Sequence, residues 1–264
     1  MTILAEIFAS KREEVAARQR VVSLAEIRRQ AEAADAAREF GAALRHRATR
    51  PALIAEVKKA SPSKGLLAPN FDPLRLGQIY RDAGATAVSV LTDERYFQGH
   101  LDYLRQIAAL PGRPPLLRKD FLYHPYQVYE ARAAGADALL LIATSLEPSR
   151  LCDLHTLAAE LGMAALVEVH TLAELEMALT CQPTLVGINN RDLHTFHVSL
   201  ETTRQLRPFL PPEICVVAES GIHTPADVAT LRALNVDAML IGEALVTAVD
   251  IPGQIRTLLA EARP

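Results

Sequence analysis

The chain has 264 residues, half of them apolar and 22% charged, with no tryptophan and a formal charge of -3. So much apolar side chain excludes a disordered polymer, and the slight negative balance excludes nucleic acid as the main partner. The length suits an α/β barrel, which commonly runs to about 250 residues in one domain.

Residues 1 to 48 read as helical. Ala, Glu and Arg dominate, and Ile3, Ile7, Val15, Val22, Leu24 and Ile27 recur at helical spacing, which predicts two or three helices. The opening MTILAEIFASKREEV meets Glu6 and Lys11 before an apolar stretch of signal-peptide length builds up. No apolar run approaches a membrane span, so a cytoplasmic protein without membrane association is expected. The basic run from Arg45 to Arg50 reads as a solvated helix end. Cys152, Cys181 and Cys215 are odd in number and widely spaced; they match neither a disulfide framework nor a CxxC metal site, so reduced thiols are expected.

From Pro51 the texture changes to short apolar runs separated by amphipathic stretches. The runs are ALIAEVK (52–58), TAVSVL (86–91), PLLRK (115–119), DALLLIA (137–143), AALVEV (164–169), TLVGIN (184–189), ICVVAE (214–219) and DAMLIG (237–242). They recur every ~27 residues, about the length of a βα unit, and their near-continuous aliphatic character suits parallel strands buried on both faces. Gly84, Gly135 and Asn235 fall where helices must end, whereas Thr171 and Thr224-Pro225 fall where helices must start. An open dinucleotide-binding sheet would carry GxGxxG, and none is present. The predicted architecture is an α/β (β/α)8 TIM barrel with an N-terminal helical extension. One domain would span 1–264, with the extension at 1–48 and eight βα units at 51–264.

In such a barrel the chemistry sits where strands end. Glu56 and Lys58 end the first run and share a face; Asn189 and Arg191 do so in the sixth if that strand continues far enough. Glu168 is flanked by Val167 and Val169, so it must face the mouth or be costly to bury. Ser220-Gly221 and Gly242 follow the seventh and eighth runs, where barrels often bind phosphate through backbone N–H groups.

Lysine usage singles out further candidates. Of 28 basic residues only Lys11, Lys58, Lys59, Lys64 and Lys119 are lysine. Arginine never gives up its proton near neutrality, whereas a partly buried lysine can be tuned to do so. Lys58 and Lys119 are therefore the chemical candidates, with Lys59 facing away and Lys64 solvated in its loop. His170 would lie near the rim. His194 and His197 fall away from the strand ends, and with no HExxH present a histidine metal site is not expected. Phe71, Phe97 and Phe121 are candidates for an apolar wall.

Taken together, AEVKKASPSKG (55–65), LRKDF (117–121), PYQVYEARAAGADALLLI (125–142), LVEVH (166–170), GINNRDL (187–193), AESGI (218–222) and LIGEALV (240–246) resemble the indole-3-glycerol phosphate synthase family across the whole chain. The resemblance implies closure of the indole ring of 1-(2-carboxyphenylamino)-1-deoxyribulose 5-phosphate, with loss of CO2 and water and without cofactor or metal. It implies Lys119 as general acid, Glu168 as general base and Lys58 as a second lysine on the substrate. Glu56, Asn189 and Arg191 would complete the catalytic set, Arg191 by ion pairing. Ser61, Ser220, Gly221, Gly242 and Glu243 would hold the phosphate and loop positions, and Phe121 would meet the substrate. It implies a monomer and leaves room for association with other enzymes of tryptophan synthesis.

Two positions depart from the family's pattern. Glu243 offers an N–H but no neutral hydroxyl, and Tyr123-His124 stands where an apolar-acidic pair is common. Two alternatives remain open at this level: a Schiff-base aldolase or synthase using Lys119 as nucleophile, and a non-catalytic barrel that binds partner enzymes.

Overall fold

The computed structural model describes residues 3–45, 51–192 and 195–261. The basic run past Arg45 and His194 lie outside that range. Three helices come first: α1 (Ile3–Val21), α2 (Leu24–Glu32) and α3 (Phe40–Arg45). Ser23 caps α2 by accepting the Glu26 N–H, which satisfies one of the helix's orphan donors.

Next come β1 (Ala52–Val57), a small hairpin of β2 (Ala60–Ser61) and β3 (Gly65–Leu66), and β4 (Ala87–Leu91). The remaining strands are β5 (Leu116–Lys119), β6 (Ala138–Ile142), β7 (Ala164–Val169), β8 (Leu185–Asn189), β9 (Cys215–Glu219) and β10 (Ala238–Ile241). The eight longer strands close in the order β1-β10-β9-β8-β7-β6-β5-β4, every pair parallel. All eight apolar runs are strands of this barrel, as their sequence predicts.

Helix boundaries follow local chemistry. Thr171 and Thr224 cap the helices Leu172–Leu179 and Pro225–Ala233. Gly84, Gly135 and Asn235 take positive φ just past helix ends. His124 starts the helix Pro125–Ala133 by accepting the Tyr126 N–H, and Gln127 completes the capping box.

Strand alternation divides the core in two. Leu53, Ala55, Val57, Val167, Val169 and Ala218 pack outward against the helices. Ala52, Ile54, Leu117, Leu140, Leu166, Val217 and Leu240 fill the barrel interior, joined by Phe40 and Leu44 of α3. At ~25 cal/mol per Å² of buried apolar surface the larger outer layer stabilises the fold most, while the interior forms a floor beneath the strand ends.

The extension reaches both ends of the barrel. α3 packs on β1, β4 and β9, α2 lies against the helix Pro125–Ala133, and α1 lies over the strand ends. Lys11 of α1 is buried, with Nζ 2.9 Å from each of Glu14, Asp93 and Asp120.

The cysteine expectation is corrected. Cys152, on the helix Pro148–Glu160, forms a disulfide with Cys181, just past the helix Leu172–Leu179. The two lie on consecutive helices around the barrel, a proximity that their spacing of 29 residues does not reveal. Cys215 is buried and takes no part in the disulfide. Among the described residues no helix is long and apolar enough to cross a membrane.

Candidate active site

Inward alternation carries five charged groups to the mouth. Lys119, the last residue of β5, places Nζ 3.1 Å from Glu168 Oε2 on β7 and 3.4 Å from Glu219 Oε2 on β9. Glu56 on β1 places Oε2 2.7 Å from Nζ of Lys58, so these two share a face as their spacing requires. All three glutamates are buried, whereas each lysine keeps 16% of its side chain accessible.

Lys119, Glu168 and Glu219 are buried within reach of one another, so each feels the charge of the other two. Burial opposes the charge on Lys119, but Glu168, Glu219 and Glu56 outweigh it and hold the ammonium well above its ordinary pKa. Burial also opposes the Glu168 carboxylate; Lys119, the His170 ring and an Asn189 hydrogen bond together keep it below the ordinary value. Glu219 goes the other way. Burial and its two carboxylate neighbours push it up to about 8 despite Lys119. Lys119 thus sits between a carboxylate held below its ordinary pKa and one pushed above it.

Glycines make the room. A Cβ at Gly242 would lie 2.1 Å from Glu56 Oε2 and 2.9 Å from Lys58 Nζ. At Gly187, inside β8, a Cβ would lie 2.2 Å from Glu219 Oε1. Here the missing side chain marks close approach of a functional group.

One side of the mouth is polar. Ser220 and Gly221 follow β9 with φ of 66° and 79°, and a Cβ at Gly221 would meet Val198 Cγ1 at 2.6 Å. The buried Ser61 Oγ, at the end of β2, has no hydrogen-bond partner among the described residues. Glu243 opens a short helix after Gly242, and its Oε1 lies 3.8 Å from Lys64 Nζ, so Lys64 reaches across the rim rather than standing wholly in solvent.

The other side is apolar. Phe121 meets Phe8 edge-on at 5.8 Å and Phe97 at 5.9 Å, and Ile3, Leu4 and Ile7 of α1 extend the wall. Phe71 is not part of it; that ring packs on Tyr103 at 5.3 Å in the outer core. β8 stops at Asn189, so the sixth strand does not continue to Arg191. Arg191 instead pairs with Val198 in an isolated bridge, takes the Asn189 side chain as acceptor for its N–H, and still lines the mouth. The sequence-derived site candidates from Glu56 to Glu243 line one cavity, except Phe71 in the outer core and His170 in a neighbouring cleft.

Three contributions escaped the sequence reading. Glu219 passes there as the residue before Ser220-Gly221, although Gly187 inside a strand is a signal that something approaches it. Lys11 and the apolar start of α1 gave no local sign of meeting the barrel mouth.

The sequence matches the family model for indole-3-glycerol phosphate synthase over residues 4–258. The chain belongs to that family. An indole-3-glycerol phosphate synthase of Roseiflexus castenholzii is 54% identical over 265 residues, covering 97% of this chain and 98% of that one. One of Dehalococcoides mccartyi is 56% identical over 209 residues, covering 78% and 81%. As a family member the chain is an enzyme, a lyase of tryptophan biosynthesis.

Solved structures show the fold alone. A 3-hexulose-6-phosphate synthase from Salmonella typhimurium superposes with a TM-score of 0.66 at 12% identity, over 80% of this chain and 98% of that one. A thiamine phosphate pyrophosphorylase from Pyrococcus furiosus gives 0.62 at 17%, over 81% and 96%. These are barrels around different chemistry. Among the described residues of this synthase-family chain, no group of three or more His, Cys, Asp or Glu is spaced to hold a metal ion.

Proposed function

We propose that the chain converts 1-(2-carboxyphenylamino)-1-deoxyribulose 5-phosphate to indole-3-glycerol phosphate, CO2 and water. The observation that carries this reading is the Lys119 ammonium held 3.1 Å from Glu168 on the floor between an apolar and a polar wall. The anilino ring would lie along Phe121, Phe97 and the start of α1. The phosphate would meet Ser61 Oγ and the backbone at Ser220, Gly221, Gly242 and Glu243, with Arg191 beside the sugar.

Attack of the ring carbon on the ketone throws charge onto oxygen. Lys119 stabilises that charge and delivers its proton as general acid, because the oxyanion becomes basic enough to take it only during the attack. Departure of CO2 returns an electron pair to the ring. Glu168 then removes the proton that allows the hydroxyl to leave, while Lys58, oriented by Glu56, assists its departure. Asn189 fixes the Glu168 carboxylate. A lysine held this firmly protonated is a poor nucleophile, which speaks against a Schiff-base mechanism.

We place the extension and barrel in one functional domain that acts as a monomer. We also place it in the cytoplasm. The test is product fluorescence on adding the anilino-deoxyribulose phosphate, seen against a protein with no tryptophan. Absence of an indole product at saturating substrate contradicts the reading. So does a borohydride-trapped adduct on Lys119.

A further inference from the structure

The chemistry proposed above, on which this inference rests, does not balance within the active site. The substrate enters as a carboxylate. Ring closure makes one C–C bond, and the ketone oxygen takes a proton from Lys119. Loss of CO2 breaks the ring–carboxyl bond, and its electron pair restores the aromatic ring. The hydroxyl leaves as water with a second proton, and the new five-membered ring gives up one. Two protons go onto oxygen and one returns, so each turnover draws one proton from solvent.

That proton can enter through the open mouth between turnovers, or reach Lys119 by a second route while substrate fills the mouth. Glu168 lies against Lys119, and behind Glu168 the structure has a second polar connection. His170 Nε2 is 3.4 Å from Glu168 Oε1, and its Nδ1 is 3.1 Å from Glu174 Oε2. The same Glu174 oxygen accepts the His170 backbone N–H at 2.7 Å, which fixes the ring. Nε2 is buried and makes no regular hydrogen bond. His170, Glu174, Thr144 and His197 line a polar cleft beside the mouth, separated from it by Asn189 and Arg191, which border both.

We propose that His170 is a proton relay, carrying the solvent proton of each turnover from this cleft to Glu168 and so to Lys119. Nδ1–H held by Glu174 leaves Nε2 as the atom that gives a proton to Glu168 Oε1. Glu168 passes protons on to Lys119 across 3.1 Å, and the imidazole is refilled from the cleft. The relay acts through Glu168 and touches no substrate atom, so His170 is a positioning residue with a proton-transfer role.

The charges facing His170 set its pH dependence. Burial lowers its pKa, but Glu174 from the following helix, Glu168 on the preceding strand and Glu219 from β9 together raise it; Arg191, Asp192 and His197 line the same cleft. A relay that donates from the imidazolium loses its proton as pH rises through this elevated pKa, so kcat should fall on the alkaline side.

The test uses the full-length enzyme with His170→Gln, His170→Ala and Glu174→Gln, measuring kcat and KM against pH. His170→Gln should lower kcat about 100-fold, the low end for a positioned proton donor, with KM within about twofold. Added imidazole should restore at least tenfold of the loss in His170→Ala, and Glu174→Gln should move the alkaline limb to lower pH. A kcat within about twofold of wild type in His170→Gln overturns the relay, as does a loss that imidazole leaves untouched. If wild type itself makes no indole product, the ring-closure reading falls and the relay with it; an active wild type with indifferent variants removes the relay alone.

Discussion

Lys11 Nζ lies 2.9 Å from Asp120, the residue directly after Lys119. A helix outside the barrel is thereby bolted to the strand end that presents the proposed acid. Asp120 in turn accepts from Thr92 at 2.6 Å and from Arg118 at 3.1 Å, and Arg118 continues to Glu130 at 2.8 Å. The outward face of β5 is a buried ion network, whereas the inward face carries Lys119.

Removing Lys11 leaves Asp93 buried without this cation and Asp120 with Arg118 alone. Lys11→Met should cost about 3–5 kcal/mol, the usual penalty for breaking one partner of a buried pair. It should also raise KM more than it lowers kcat, because Ile3, Leu4 and Ile7 belong to the substrate wall. Thermal melts and steady-state kinetics check both. An unchanged KM would mean that α1 contributes stability only.

Glu219 ties stability to pH. Its folded pKa of about 8 lies above its ordinary carboxylate value, so the proton it carries stabilises the fold at low pH. That contribution fades as pH rises from about 4.5 through about 8. Glu219→Gln keeps a neutral group of the same shape, so its Tm relative to wild type should climb between about pH 4 and about pH 9, a window that spans both values. Turnover should drop in the same variant, since a carboxyl beside Lys119 is lost. A pH-independent difference in Tm would contradict the assignment.

The Cys152–Cys181 bond closes a loop of 29 residues across two barrel helices. Chain entropy assigns such a loop about 3–4 kcal/mol. Unfolded without reductant, the chain should expose one titratable thiol, that of Cys215, and with reductant three. Cys152→Ala should lower Tm and leave kcat unchanged, as neither half of the bond lines the mouth. Three thiols before reduction would show the bond absent.

The sequence was informative where local physics decides the outcome. Parallel strands buried on both faces leave continuous aliphatic runs, and a cap needs its own hydroxyl, so all eight barrel strands and Thr171 and Thr224 were readable. Two-residue alternation fixed Glu56 with Lys58 and turned Val57 outward. Long-range encounters left weaker traces. Cys152 and Cys181 meet because consecutive helices pack side by side. Phe71 and Phe97 look alike as residues and both follow strand ends that open on the mouth, yet Phe71 turns onto Tyr103 in the outer core. Asn189 and Arg191 share a face only in an unbroken strand, and β8 stops between them. Glu219 left one legible mark, the glycine at 187 that its carboxyl fills.

The central claim is that Lys119 supplies a proton and not merely a positive charge. The most direct measurement is single-turnover formation of indole-3-glycerol phosphate by Lys119→Arg, followed by fluorescence. Arginine keeps the charge beside Glu168 and cannot release its proton near neutrality. The account predicts that substrate still binds while the rate falls about 100-fold or more. A Lys119→Arg rate within about threefold of wild type would show that charge alone suffices, and would contradict the assignment of Lys119 as the acid.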